Sequence, residues 1–426
     1  MIWFLAKFTT SLFIISAVFS FLSCNANNKS IEIKFWAMGA EGEYVQELIP
    51  RFESENPDLK VKVQMVPWTA AQEKLITAFA SDNLPDIFQL GNTWIPQFVA
   101  LDAIDCLDAW VEESNSINKD NYFEGIWNTN VIAGRIYGIP WYIDTRVLFY
   151  RKDVLNKAGF SSPPQTWQDL YIVSKNIKEL SDKQEKYAIY LPTNEWAPFV
   201  IFAMQAGAEL LKDNNCYGDF SSENFKKAFK FLIKFHQENL APIGISQVTN
   251  VYQAFAEEYF VMYISGPWNI NEFKKWMSGD LADKWMTAPL PGPNATAHGV
   301  SLAGGSSLVI TKRSNRKSEV WRFIEYLSQK TTQLEFYKIL NDLPALTIAW
   351  QDSILLNDPY MHAFYEQFHN VKATPKIPEW EQIAFSKIQQ YAEIAVRGVM
   401  SVDEALIALD KDVNKILEKR RWLLGK

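Results

Sequence analysis

Between residues 31 and 90 the spacing of apolar residues keeps changing period, and that alternation leaves the chain few folds to choose from. Residues 31–36, IEIKFW, alternate apolar and polar side chains in the pattern of a half-buried strand. Tyr44, Leu48, Ile49 and Phe52 then recur at helical spacing until Asn56-Pro57 stops them. Residues 59–66, LKVKVQMV, alternate again, 70–81 are helical, and 86–90 form a short third strand after the Leu84-Pro85 break. Strand, helix, strand, helix, strand predicts an α/β layer on a mostly parallel sheet, since parallel neighbours need a crossover and a helix supplies it.

The rest of the chain continues in this style. Thr166, with Asp169 three residues on, caps a helix that starts at Trp167. Helices are expected over 225–239 and 318–329, and strands over 259–264 and 307–311. Ser401 and Glu404 form a capping box ahead of a stripe of Val402, Leu406, Leu409, Val413, Ile416 and Leu417. Residues 139–150, IPWYIDTRVLFY, have a strand's apolar and aromatic content, yet Asp144 and Arg146 stand in the middle. Two residues apart on a strand, they share a face. A carboxylate and a guanidinium there need a partner or water, and Trp141, Tyr142, Phe149 and Tyr150 flank them with flat walls. That is the surface of a site for a polar molecule.

The N-terminus, MIWFLAKFTTSLFIISAVFSFLSC, carries one charge, Lys7, and an apolar core over 12–22 too short to span a bilayer comfortably. It reads as a secretory signal covering 1–23. Its end, Phe21-Leu22-Ser23-Cys24, resembles a bacterial lipobox, although Phe21 and Leu22 stand where that motif prefers Leu and a small residue. The resemblance implies a lipidated Cys24, a linker over 24–30, and tethering to a membrane without spanning it; ordinary signal-peptidase cleavage is the alternative. A net charge of −7 argues against nucleic acid, which needs a basic face. The length suits two or three domains. Besides Cys24 the chain has Cys106 and Cys216, which suit either one disulfide or two free thiols.

In their order and spacing, several segments resemble the extracellular solute-binding proteins of ABC importers, in the sugar-binding branch that includes maltose-binding protein. They are IEIKFWAMGAEGEYVQELIPRFESENP, LPDIFQLGNTWIPQF, GRIYGIPWYIDTRVLFYRKDVLNKAG and MYISGPWNI. The resemblance covers about 30 to 420. It implies two discontinuous α/β lobes, 30–141 plus 302–348 and 147–297 plus 355–426, joined by a hinge and closing on solute in the cleft between them. It also implies a carbohydrate ligand, an ABC permease as partner, a monomer, and no cofactor.

The candidate ligand-binding residues follow from strand ends and from this resemblance. Trp36 ends the first strand, where open α/β sheets bind ligands, though it also suits a core; Glu41 and Glu43 follow it. Asn92 and Trp94 come after the strand 86–90, Asn92 where the family often has a carboxylate. Tyr142, Asp144 and Arg146 fall at the hinge crossing, Asp144 matching the family's acidic sugar ligand. Glu195 and Trp196 fall near an acid and an aromatic platform of the family. Trp268, after Gly266-Pro267, matches its stacking Trp, whose indole face suits the C–H face of a sugar. Gly304, Gly305 and Ser306 let backbone amides approach a ligand, and Trp380 lies near another family aromatic. Asp86 is expected to be structural.

The sequence has no HExxH, no Walker loop and no GxGxxG, and His236, His298, His362 and His369 lack zinc spacing. The expectation is a lipid-anchored protein that binds a di- or oligosaccharide and catalyses nothing. The alternatives are a binder of glycerol-phosphate or another polyol derivative, with Arg146 taking the phosphate, a secreted glycoside hydrolase, and a sugar-sensing lipoprotein.

Overall fold

The computed structural model describes residues 30–180, 186–244, 248–295 and 299–425. The leader, Cys24 and His298 lie outside the described residues. Strands β1 (Ile31–Met38), β2 (Leu59–Val66) and β3 (Ile87–Gly91) fall where the alternation puts them. They are linked by short helices and by α1 (Trp68–Ala80). They join β4 (Ile139–Asp144), β9 (Gly304–Ile310) and β10 (Leu343–Pro344) in one sheet of order β10-β4-β9-β3-β1-β2. A second sheet contains β5 (Val147–Arg151), β6 (Tyr187–Tyr190), β7 (Phe260–Ser265) and β8 (Trp285–Ala288), in the order β8-β5-β7-β6.

Two expectations need correction. The first sheet is mixed: β2-β1-β3 are parallel, while β9 runs antiparallel to both β3 and β4, and β10 antiparallel to β4. Strand β9 enters the sheet on its return from the second sheet, so no crossover helix sets its direction. Residues 139–150 are also not one strand. They are β4 and β5, in different sheets, with Thr145 and Arg146 making the step between them. Both strands are buried almost throughout, so no alternation marks the change of sheet. At the step Thr145 Oγ1 donates to the Leu302 carbonyl at 2.7 Å, and Ser301 Oγ donates to the Arg146 carbonyl at 2.8 Å. Ser301–Leu302 in turn pairs with Val371–Lys372. Successive passages of the chain between the sheets are thereby tied side by side.

Helices cover the sheets through the faces the sequence predicts. The Thr166–Asp169 and Ser401–Glu404 capping boxes both form, starting α2 (Trp167–Glu179) and, near the C-terminus, Val402–Ile416. Leu406, Leu409, Val413 and Leu417 of the last stripe sit in one core with Phe225, Phe229 and Leu232. The Glu223–Gln237 helix that carries those three also buries His236, whose Nδ1 lies 3.0 Å from the Pro242 carbonyl. Burial pushes the imidazole pKa down to about 4. Cys106 and Cys216 are both free. No helix among the described residues is long and apolar enough to cross a membrane.

Candidate functional site

A cavity of about 430 Å³ is lined by residues of β4, β9 and the turn after β3 in the first sheet, by Trp268 just beyond β7 of the second, and by Trp196, Glu381 and Phe385, within the ~300–1,000 Å³ typical of small-molecule sites. Its floor is the β4–β9 ribbon. Tyr142 Oη donates to Glu41 Oε1 at 2.5 Å, and it is met by Ser306 Oγ at 3.1 Å and Gln89 Nε2 at 3.2 Å. Gln89 Oε1 accepts from the Met38 amide at 2.7 Å, which fixes where β1 ends and Glu41 begins. Burial lifts the Glu41 carboxyl above its usual range, against the pull of the Tyr142 hydroxyl and the Trp68 indole, whose Nε1 donates to Oε2 at 3.3 Å. Tyr142 is raised by burial and by the Glu41 charge.

Gly304 and Gly305 hold this floor together. Gly305 has φ +112, and a Cβ there would come 2.3 Å from the Tyr142 carbonyl oxygen. A Cβ on Gly304 would come 2.2 Å from Asp144 Oδ1. The glycines therefore let β9 lie close against β4, where Gly304 pairs with Asp144. Asn92 supports the same ribbon: its amide donates to the Gly304 carbonyl at 3.1 Å and its oxygen accepts from Ser307 at 2.9 Å.

Arg146 connects the floor to the far wall. Its Nη1 bonds Asp144 Oδ1 at 3.0 Å, its Nη2 lies 3.9 Å from Glu195 Oε1, and its guanidinium stands 4.5 Å from the centre of the Trp268 ring. Burial raises the Asp144 carboxyl and Arg146 opposes the rise. Trp268 nonetheless stays 49% exposed, and Trp68 (36%) and Phe385 (55%) also show their rings to the cavity. Trp94 meets Trp68 edge-on at 5.7 Å, and Trp196 meets Phe385 at 5.8 Å. Glu381 and Phe385 project from neighbouring turns, where the helix widens to a π form over Ile383–Ile388. Burial raises the Glu381 carboxyl against hydrogen bonds from Thr93 and Trp94.

Of the residues expected at the site, Glu41, Asn92, Trp94, Tyr142, Asp144, Arg146, Trp196, Trp268, Gly304, Gly305 and Ser306 line this cavity. Glu195 stands just behind Arg146. Three candidates are placed elsewhere. Strand β1 runs two residues beyond Trp36, so Trp36 lies away from the cavity, half-buried, with the Lys74 ammonium 4.8 Å from its ring. Glu43 points to solvent from the short helix Gly39–Tyr44. Trp380 is fully buried behind Trp196, ring centres 6.0 Å apart. Asp86 is structural, accepting from the Lys34 amide and Ser314 and facing Arg316. The sequence reading missed Trp68, Thr93, Asp342, Thr374, Glu381 and Phe385. Among the described residues no group of His, Cys, Asp and Glu is placed to hold a metal ion.

Residues 37–334 match the family model of the bacterial extracellular solute-binding proteins. The chain belongs to that family. Among solved structures, this solute-binding protein is similar to the sugar-binding protein MalE of Xanthomonas citri: 45% identical, TM-score 0.89, covering 93% of this chain and 100% of that one. It is also similar to an ABC transporter solute-binding protein of Thermotoga lettingae solved with α-D-tagatose, at 26% identity and TM-score 0.76, over 91% of this chain and 100% of the other. Among curated relatives, the diacetylchitobiose-binding protein DasA of Streptomyces coelicolor is 24% identical over 91% of this chain and 90% of its own length. The maltodextrin-binding protein MdxE of Bacillus subtilis is 24% identical over 80% and 79%. The α/β architecture is that of the maltose-binding-protein-like binding proteins, and these relatives are named as binders, not enzymes.

Proposed function

We propose that this solute-binding protein captures a carbohydrate, a di- or oligosaccharide, in the cavity between its sheets and delivers it to the permease of an ABC importer. The observation that carries this reading is the pairing of uncovered aromatic faces, Trp68, Trp268 and Phe385, with hydrogen-bonding carboxyls, Glu41 and Asp144, around one cavity. Indole and phenyl faces cover the C–H faces of sugar rings, and carboxylates accept paired hydroxyls in bonds worth about 1.5–3 kcal/mol each. The sugars named for its relatives agree with this chemistry.

In this reading the lobes are 30–141 with 302–348, and 147–297 with 355–426, and they close on the sugar about the Thr145–Arg146 step. Closure excludes water and strengthens each polar contact. Residues 1–23 are removed on export, Cys24 is lipidated, and the protein works as a membrane-tethered monomer that does not turn its sugar over. A calorimetric screen of maltodextrins, diacetylchitobiose and galacto- and arabinooligosaccharides tests it, followed by chromatography of the incubated sugar. Saturable binding with the sugar recovered intact is expected. Binding to none of them, or cleavage products, would refute the proposal.

A further inference from the structure

Asp342 is an acid at the cavity that the sequence reading does not touch. Asn341, at φ +63, turns the chain into the two-residue strand β10, where Leu343 pairs with Ile143 and Pro344 with Tyr142. Continuing that antiparallel register by one residue sets Asp342 beside Asp144, on the side of β4 opposite Gly304. Its Oδ2 is buried and accepts no hydrogen bond. Burial raises its carboxyl well above the usual range, and the charges of Glu41 and Asp144 raise it further. Glu381 lines the same cavity, and Glu195 lies 3.9 Å from Arg146. Against these acids there is one cation among the lining residues, Arg146, which already bonds Asp144, lies 3.9 Å from Glu195 and stands over the Trp268 ring.

We infer that Asp342 sets the charge selectivity of the cleft: it completes a carboxyl cluster that accepts uncharged sugars and turns away those bearing phosphate or carboxylate. A buried carboxyl without a partner must keep a proton or take a donor. A sugar hydroxyl can supply that donor, and a neutral ring adds no charge. A phosphate or uronate would have to lose its water beside Asp342, Asp144 and Glu41, and the one cation of the lining, Arg146, is already paired with Asp144. The same arithmetic weighs against the polyol-phosphate alternative, because Arg146 already pairs with Asp144. This inference rests on the carbohydrate reading and goes beyond it.

The test compares each neutral sugar that binds wild type with its phosphorylated or uronic-acid counterpart, by calorimetry at fixed ionic strength, in wild type, Asp342→Asn and Asp342→Ser. Wild type is expected to prefer the neutral member at least 100-fold. The variants should narrow that ratio at least tenfold, and Asp342→Asn should melt higher than wild type without ligand at pH 7, since a costly buried acid is gone. Equal affinity of wild type for the anionic member would overturn the inference while leaving the carbohydrate reading standing. So would an unchanged ratio in whichever of the two variants melts cooperatively. If no sugar binds wild type, the carbohydrate reading itself fails and this inference falls with it.

Discussion

Replacing Trp268 by alanine should weaken sugar binding and cost the fold a comparable amount. The ring is 49% exposed, with Arg146 stacked 4.5 Å from its centre. A Trp side chain buries up to about 250 Å², so roughly 120 Å² is left for a ligand to cover. At about 25 cal/mol per Å² that is ~3 kcal/mol if the cover is complete, and ~1–2 kcal/mol if a sugar ring takes half. The dissociation constant should therefore rise by about 5- to 150-fold. The buried half of the ring, packed over Gly266, contributes a similar amount to the fold, roughly 3 kcal/mol by the same area arithmetic, and the cation–π contact about 0.5–1 kcal/mol more. Calorimetry with the best-binding sugar and thermal melting of the unliganded protein measure the two. Unchanged affinity would take Trp268 out of the binding surface.

Gly305→Ala should cost about 2–5 kcal/mol in urea unfolding, because it combines a strained φ with a 2.3 Å clash against the Tyr142 carbonyl. Gly304→Ala, whose Cβ meets the Asp144 carboxylate, should also weaken binding by displacing that acceptor; equal affinity would argue against Asp144 as a ligand contact. His236 is buried neutral with its pKa pushed down from 6.5 to about 4, so protons favour the unfolded chain between those values. Wild type should lose about 3 kcal/mol relative to His236→Gln as pH falls from 6.5 to 4, and none above pH 7.5; parallel stability curves would refute this. Cys24→Ala should release the protein from membranes into the soluble fraction, and continued retention would contradict lipidation.

The elements legible in the sequence were those with a period or a cap. The alternation of 31–36 and 59–66 predicted β1 and β2, and both capping boxes start the helices expected of them. The break at Thr145–Arg146 was not legible, because β4 and β5 are buried on both faces and read as one apolar run. The site followed the same division. Asn92, Trp94, Trp268 and the glycines at 304–305 sit at strand ends or turns that the sequence marks, Tyr142 and Asp144 stand out as polar groups in an apolar run, and all of them converge. Asp342 precedes a strand of two residues, too short to show any period. Trp68 opens a helix that the reading began at residue 70. Glu381 and Phe385 share a face through π-helical turns that no α-helical spacing anticipates. Trp36 and Trp380 were misplaced by small errors of register: the first strand is two residues longer than 31–36, and the acid beside Trp380, not the indole, reaches the cavity.

A crystal structure of the protein grown with its best-binding sugar tests the central claim most directly. Difference density for the sugar should fill the cavity between the sheets, with a ring against the Trp268 indole and hydroxyls within 3.2 Å of the Asp144 carboxylate. Density elsewhere on the surface, with this cavity holding only water, would contradict the account.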